Sequence, residues 1–124
     1  MTISEVSERY AISTDTLRYY ERVGLIPHVP RKSNGIRDYD ENSCNWVKFI
    51  RCMRGAGLQI EALIEYVALF GQGDTTRGAR KGILLEQRAL LQQRMNDMQT
   101  CMERLDHKLE HYSDVDAVVS AFKR

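Results

Sequence analysis

The sequence lacks several features that would define a class of protein. It has no uninterrupted apolar run long enough to span a bilayer, which argues against insertion into a membrane. Its first residues, MTISEVSERY, lack the basic and then apolar segments of a secretory signal, so we expect a cytoplasmic protein with reduced thiols. The 124 residues suffice for about one domain plus a long accessory helix, but not for a large effector-binding domain.

Cysteine is scarce and catalytic patterns are missing. The three cysteines, Cys44, Cys52 and Cys101, are odd in number and have no CxxC spacing, which argues against a disulfide framework and a compact zinc site. We find no Ser/His/Asp set, phosphate-binding loop or paired carboxylates in an apolar context, so we predict neither an enzyme nor a cofactor. His107 and His111 are spaced i, i+4, but a solvated helix face is a better interpretation of this pair than a metal site.

Apolar residues at helical spacing predict two short helices at the start of the chain. The first contains Ile3, Val6 and Tyr10, and the second is capped by Ser13 or Thr14 and ends at Gly24. Turns follow at Pro27 and Pro30. The dipeptide at 34–35, Asn-Gly, is then a strong hairpin signal between short extended pieces. This order predicts a helix-turn-helix followed by a wing.

Three more helices are predicted after the wing. Asp40 can cap a third helix that stops at the GAG of residues 55–57, and a fourth runs from about Gln59 to Phe70. A long helix without proline then spans about residues 75–112, and a short closing helix is predicted around residues 115–122. We therefore expect a mostly α protein with a winged helix-turn-helix domain at residues 1–73 and a dimerising coiled-coil segment at residues 74–124.

The long helix carries an apolar stripe that it cannot bury alone. At alternating steps of four and three residues the stripe contains Leu84, Arg88, Leu91, Met95, Met98, Met102, Leu105, Leu109 and Tyr112. Such a heptad pattern is typical of a coiled coil. Because a helix of this length spans roughly 55 Å, far more than the N-terminal module, we expect the same helix of a second chain as its partner.

The second helix and the wing carry side chains suited to a nucleic acid. Thr14, Thr16, Arg18 and Tyr19 would offer hydroxyls and a guanidinium near a helix N-terminus, where the helix dipole favours anions. The segment HVPRKSNGIR, residues 28–37, contains three cations and a histidine but no acid. We expect the wing residues to hold a second stretch of phosphate backbone; these are Arg31, Lys32, Arg37 and Tyr39.

Two motifs in the predicted helix-turn-helix and wing resemble those of a known family. TLRYYERVGLIP, followed by NGIRDY, closely resembles the DNA-binding domain of MerR-family transcription regulators over the first seventy residues. The family often has Gly-Tyr-Arg in the wing where this chain has Ile36 between Gly35 and Arg37, and often a Ser or Thr cap where this chain has Gln59. The resemblance implies DNA-contact roles for six residues, namely Thr14, Thr16, Arg18, Tyr19, Arg37 and Tyr39.

The resemblance also implies a mechanism. Such a homodimer binds a near-palindromic operator in double-stranded promoter DNA whose promoter elements are spaced too far apart. Its activated form bends and untwists the DNA so that RNA polymerase can use the promoter, at an energetic cost met by phosphate contacts.

Cys52 is the candidate sensing residue. It lies between Arg51 and Arg54, whose charges favour a thiolate, but also near a helix C-terminus, which disfavours one. From the residues alone it is either a reactive thiol or a small core side chain. The chain resembles the NmlR and AdhR subgroup, which has a cysteine at this place and is associated with electrophile and nitrosative stress, and this resemblance implies that Cys52 is the sensing nucleophile.

Two alternatives stay open at this point. One is a MerR-type regulator that binds a small molecule noncovalently between the coil and the DNA-binding domain. The other is a dimeric nucleic-acid-binding interaction module without a thiol switch, for which binding would depend steeply on salt and little on sequence.

Overall fold

The computed structural model describes residues 1–113, and helices dominate this part of the chain. The helices are α1 Ile3–Tyr10, α2 Thr14–Val23, α3 Glu41–Gly55, α4 Ile60–Gly71 and α5 Arg77–Glu110, with short 3-10 turns at Asp74–Thr76 and His111–Ser113. No β-strand occurs within residues 1–113. The mostly α class is confirmed, whereas the predicted closing helix around residues 115–122 lies outside the described residues.

The first two helices form the predicted helix-turn-helix. At the start of α1, Thr2 and Glu5 form a capping box, in which each side chain accepts the other residue's backbone N–H. At the start of α2, the Ser13 hydroxyl accepts the backbone N–H of Thr16. The two helices pack together with Val6 and Leu17 fully buried between them.

The wing, residues 31–37, is a tight loop. Arg31 and Arg37 form one antiparallel bridge pair, and the Lys32 N–H donates to the Ile36 carbonyl oxygen at 2.8 Å. Gly35 has φ +84°, a left-handed conformation that a glycine adopts without steric cost. The predicted Asn-Gly turn is confirmed. The extended segments predicted on either side of it are shorter than expected and pair only at Arg31 and Arg37.

The third and fourth helices join through a short turn. The Asp40 carboxylate caps α3 by accepting the Ser43 N–H at 2.8 Å, as the sequence predicts. Gln59 precedes α4 but makes no capping bond with its side chain. Instead, its backbone N–H donates to Oε1 of Gln87 on α5, and Nε2 of Gln87 donates to Oε1 of Gln59, both at 3.2 Å.

The contact between Gln59 and Gln87 ties the first turns of α5 to the N-terminal unit. The compact N-terminal unit comprises Met1–Arg88, and the second unit begins at Ala89. The boundary predicted after residue 73 differs from this division, because the first turns of α5 belong to the N-terminal unit, where Gln87 is buried.

The core of the N-terminal unit holds the helix-turn-helix and α3 to α4 together. Its fully buried side chains include Val6, Leu17, Leu25, Ile26, Tyr39, Val47, Ile50 and Leu63. Burial of each aliphatic side chain is worth roughly 1.5–3 kcal/mol relative to exposure. This core supplies the rigid support on which α2 and the wing present their outer side chains.

Candidate nucleic-acid interface

The first turn of α2 presents polar groups to solvent. Thr14 and Thr16 are partly exposed and Arg18 is exposed. The Ser13 hydroxyl donates to Oγ1 of Thr16 at 2.8 Å and accepts the Thr16 N–H at 3.1 Å. This cap fixes the start of a ten-residue helix whose N-terminal end favours an anion.

Arg18 is held by its own helix. Its Nη1 lies 3.0 Å from Oδ1 of Asp15 and 3.4 Å from Oγ1 of Thr14, and 46% of its side chain is exposed. A surface ion pair of this kind contributes little to stability because water screens it. It therefore orients the guanidinium at low cost, and an incoming phosphate can compete with Asp15 for it.

Tyr19 lies beside Arg18 and is partly exposed. The Arg22 guanidinium lies 5.6 Å from the centroid of the Tyr19 ring, within the range of a cation–π contact. This contact adds a fifth polar position, Arg22, that the sequence did not single out.

The cations of the wing have different environments. Lys32 is exposed, and Arg31 is half-exposed with its Nη1 donating to the Gly35 carbonyl oxygen at 3.2 Å. Arg37 is only 23% exposed. The tip residue Ile36 is exposed.

Glu21 contacts more residues of the interface than the other acids within residues 1–113, and its role was not predicted from the sequence. It lies on α2 and is 6% exposed. Its Oε1 accepts from Nε of Arg37 at 2.7 Å, and its Oε2 accepts the Val29 backbone N–H at 2.8 Å. The spacing contained the signal, since Glu21 falls one helical turn after buried Leu17 and so on the covered face of the helix.

Glu21 is ionised in this setting. Burial raises the pKa of its carboxyl, but the hydrogen bonds from Arg37 and Val29 and the charges of Arg37 and Arg31 outweigh burial and hold this pKa below its ordinary value of 4.5. The Arg31 Nη2 lies 3.7 Å from Oε1, and the exposed His28 Nδ1 lies 3.7 Å from Oε2. A single buried negative charge therefore serves two arginines of the wing.

The predicted DNA contact of Tyr39 is not compatible with this structure. Tyr39 is 1% exposed, and its hydroxyl is buried without a hydrogen-bond partner among the described residues. Its backbone N–H donates to the Met1 carbonyl oxygen at 2.8 Å, and burial raises the pKa of its phenol. Because the side chain points into the core, we assign Tyr39 to packing rather than to phosphate binding.

The cysteines differ in accessibility. Cys52 on α3 and Cys101 on α5 are exposed, whereas Cys44 is buried with its Sγ 3.9 Å from Sδ of Met1. The exposure of Cys52 does not fit a small core side chain, which was one of its two interpretations from the residues. The neighbouring Arg54 uses its Nη1 to donate to the Leu58 carbonyl oxygen at 2.7 Å.

Within residues 1–113 no three His, Cys, Asp or Glu side chains converge as metal ligands would. No helix in the same range is long and apolar enough to cross a bilayer.

Comparison with known families agrees with this geometry. Residues 1–69 match the family model described as MerR HTH family regulatory protein, and residues 45–108 match the model described as MerR, DNA binding. The HTH-type transcriptional regulator AdhR of Bacillus subtilis is 58% identical over 91 residues, which are 73% of this chain and 65% of AdhR. The chain therefore spans just under two thirds of the length of that relative. HmrR of Sinorhizobium medicae is 31% identical over 90% of this chain and 76% of its own.

Solved structures show the same fold. A protein described as a MerR family transcriptional regulator from Listeria monocytogenes superposes with a TM-score of 0.90 and 43% identity, covering 99% of this chain and 92% of its own. HiNmlR, a MerR family regulator lacking the sensor domain and crystallised on promoter DNA, has a TM-score of 0.83 and 24% identity over 94% and 92%. The named relatives are regulators, in agreement with the expectation that this chain is not an enzyme. The chain belongs to the MerR family of helix-turn-helix regulatory proteins.

Proposed function

We propose that the protein is a transcription regulator that binds double-stranded promoter DNA as a homodimer, activates by distorting that DNA, and senses electrophiles through Cys52. The observation that carries the DNA-binding part is the arrangement of α2 and the wing. Capped α2 offers Thr14, Thr16, Arg18 and Tyr19, and the adjoining wing offers Arg31, Lys32 and Arg37. Such a protein acts in the cytoplasm, where DNA and reduced thiols are found.

The apolar stripe of α5 supports the dimer. Its large side chains are exposed in the single chain; they are Met95, Met98, Met102, Leu105, Leu109 and Tyr112, with Met98 the most open at 68%. A contiguous exposed apolar stripe on a long helix is unstable in water and pairs with a second stripe. A twofold-symmetric dimer then matches a near-palindromic operator, because each N-terminal unit reads one half-site.

Activation follows from DNA shape. Two DNA-binding units joined in one dimer each hold one half-site, so a change in the separation of the units bends or untwists the DNA between them. The phosphate contacts of α2 and the wing offset this deformation energy. RNA polymerase then meets promoter elements at a usable spacing.

Exposure of Cys52 and the resemblance to the NmlR and AdhR subgroup support the thiol switch. Its thiolate adds to an aldehyde carbonyl, and the resulting oxygen takes up a proton to give a hemithioacetal. With an S-nitrosothiol it takes the nitroso group and releases the donor thiolate. An adduct on α3 then changes the packing of α3 against α4.

A noncovalent ligand has one supporting observation, at a place other than the expected one between the coil and the DNA-binding domain. An open groove of about 240 Å³ is lined by aromatic side chains of α3 and α4 and by two asparagines; these residues are Asn42, Asn45, Trp46, Phe49, Tyr66 and Phe70. Aromatic walls with a few polar groups suit a small apolar ligand. A sensor of that kind keeps its response when Cys52 is substituted.

In vitro transcription from the protein's own upstream promoter tests the proposal. Wild type, Cys52→Ser and the control Cys101→Ser, which removes the other exposed thiol, are each assayed with and without an aldehyde or a nitrosothiol. We expect wild type and Cys101→Ser to activate, and Cys52→Ser to bind DNA equally but remain silent. Equal activation by all three assigns the signal to another site and favours the groove.

A control for the interaction-module alternative is the salt dependence of binding. If affinity falls steeply with salt and the protein shows no preference for its promoter over a random duplex, the regulator function is wrong.

A further inference from the structure

We propose that Glu21 is a positioning residue for DNA binding, which fixes the wing relative to α2 without touching DNA itself. The inference rests on the proposed function. It assigns a role to a residue that the sequence pattern left unassigned and that carries a buried negative charge beside the cations of the wing.

The Glu21 carboxylate contacts the segment that enters the wing and both of the wing's legs. Oε2 accepts the Val29 backbone N–H at 2.8 Å, where the chain enters the wing. Oε1 accepts from Nε of Arg37 at 2.7 Å on the returning leg and lies 3.7 Å from Nη2 of Arg31 on the outgoing leg. Glu21 thus joins α2 to both members of the wing's bridge pair.

The wing depends on contacts with α2 because few hydrogen bonds within the wing itself stabilise it. Its two legs share one bridge pair, and an isolated two-stranded hairpin is marginally stable in water. Its tip is exposed, and among the described residues the only side chain of the wing's legs that bonds back to it is Arg31, whose Nη1 donates to the Gly35 carbonyl oxygen while its Nη2 faces Glu21. A buried, charge-assisted hydrogen bond from α2 is therefore a main restraint on where the wing points.

Arg37 links this restraint to DNA. Its Nε is bound to Glu21, while its two terminal nitrogens make no hydrogen bond among the described residues. The planar guanidinium can hold a carboxylate by one edge and offer another edge to a phosphate. Glu21 therefore orients Arg37 for a phosphate that lies on the far side of the guanidinium.

The role predicts opposite effects on two kinds of DNA. An acid in a DNA interface repels phosphates, so electrostatics alone predicts that Glu21→Gln binds every duplex more tightly. A positioning role predicts weaker operator binding, because a misplaced wing loses contacts that only the operator complex makes.

The experiment compares Glu21→Gln with wild type by fluorescence anisotropy on two duplexes of equal length. One duplex is selected by wild type from a randomised pool, and the other has random sequence. Glu65→Gln, which removes an equal charge from an exposed position on α4, is the matched control. Hydrogen exchange at the Val29, Lys32 and Asp38 amides reports on the wing, and thermal melting reports on the fold.

We expect Glu21→Gln to lose roughly tenfold or more of its preference for the selected duplex, while its affinity for the random duplex stays equal or rises. The three wing amides should exchange faster, and Glu65→Gln should match wild type. Tighter binding of both duplexes, or unchanged protection of the wing amides, overturns the proposal.

A second variant covers the case in which Glu21→Gln does not fold. Arg37→Lys keeps both charges, but an ammonium lacks the guanidinium's two edges, so its preference for the selected duplex should also fall about tenfold. Full preference in Arg37→Lys overturns the orienting role. If wild type itself shows no preference for any duplex, the proposed function is wrong, and amide exchange alone still decides whether Glu21 holds the wing.

Discussion

At the scale of single residues, Arg18 illustrates how α2 prepares a cation for DNA. Its pair with Asp15 holds the guanidinium near the helix N-terminus, yet Asp15 is almost fully exposed and water weakens the pair. We expect Arg18→Ala to weaken operator binding by about 1–3 kcal/mol in a gel-shift titration. The matched control is Arg77→Ala, which breaks a similar i, i+3 pair with Asp74 at the start of α5. Unchanged operator binding by Arg18→Ala contradicts the assignment of α2 as the recognition helix.

Glu21 should make the N-terminal unit sensitive to acid. Because its folded-state pKa is lowered below 4.5, the stability it contributes is present above that pH and is lost as the pH falls through the folded value. We expect the free energy of unfolding of wild type to exceed that of Glu21→Gln at about pH 7, and the difference to shrink near about pH 3.5. Urea titrations of both proteins at the two pH values measure this, and a constant difference argues against an ionised Glu21.

The accessibility of a side chain was predictable where it depends on sequence neighbours alone. Thr14, Thr16 and Arg18 lie on the first turn of a helix whose cap is visible in the sequence, and the structure leaves them accessible. Tyr39 was assigned wrongly because its side chain faces a core built from distant segments. Glu21 was missed for the same reason, since its partner Arg37 is 16 residues away.

At the scale of elements, one glycine at a helix end and one inside a helix should respond oppositely to substitution. Gly24 ends α2 with φ +85°, and a Cβ there would lie 3.7 Å from Cγ2 of Ile64, which is ordinary contact. We expect Gly24→Ala to lose about 1–2 kcal/mol of stability through backbone strain alone. Gly82→Ala, in the interior of α5 with open space around it, should instead gain roughly 0.5–1 kcal/mol. Denaturant titration of the two variants checks these opposite signs, and a loss in both contradicts the backbone explanation.

The elements themselves were largely predictable because their signals are local. Asp40, Ser13 and Gly24 mark helix ends within a turn of the backbone groups they satisfy. The predicted start of α4 near Gln59 is confirmed, but the partner of the Gln59 backbone N–H could not be predicted, since this group is satisfied by Gln87, 28 residues later. The same contact explains why the N-terminal unit extends to Arg88 rather than to residue 73.

At the scale of the whole molecule, the exposed apolar stripe of α5 predicts the surface through which two chains associate. We expect Leu105→Glu to convert the dimer into a monomer, because the stripe is entirely apolar from Met95 onward and burying a carboxylate there without a partner is costly. Thr100→Glu, on an exposed position outside the stripe, is the matched control and should remain dimeric. Light scattering after size exclusion measures the mass, and operator affinity should fall with the monomer. A dimeric Leu105→Glu protein shows that the stripe is not the interface.

The joint between Gln59 and Gln87 has a consequence for the protein in changing ionic conditions. Phosphate contacts made by arginine and lysine weaken as counterions accumulate. Two neutral amides that exchange hydrogen bonds carry no net charge for ions to screen and no proton to gain or lose near neutral pH. Added salt is therefore expected to weaken binding to DNA while the attachment of α4 to the first turns of α5 keeps the same strength.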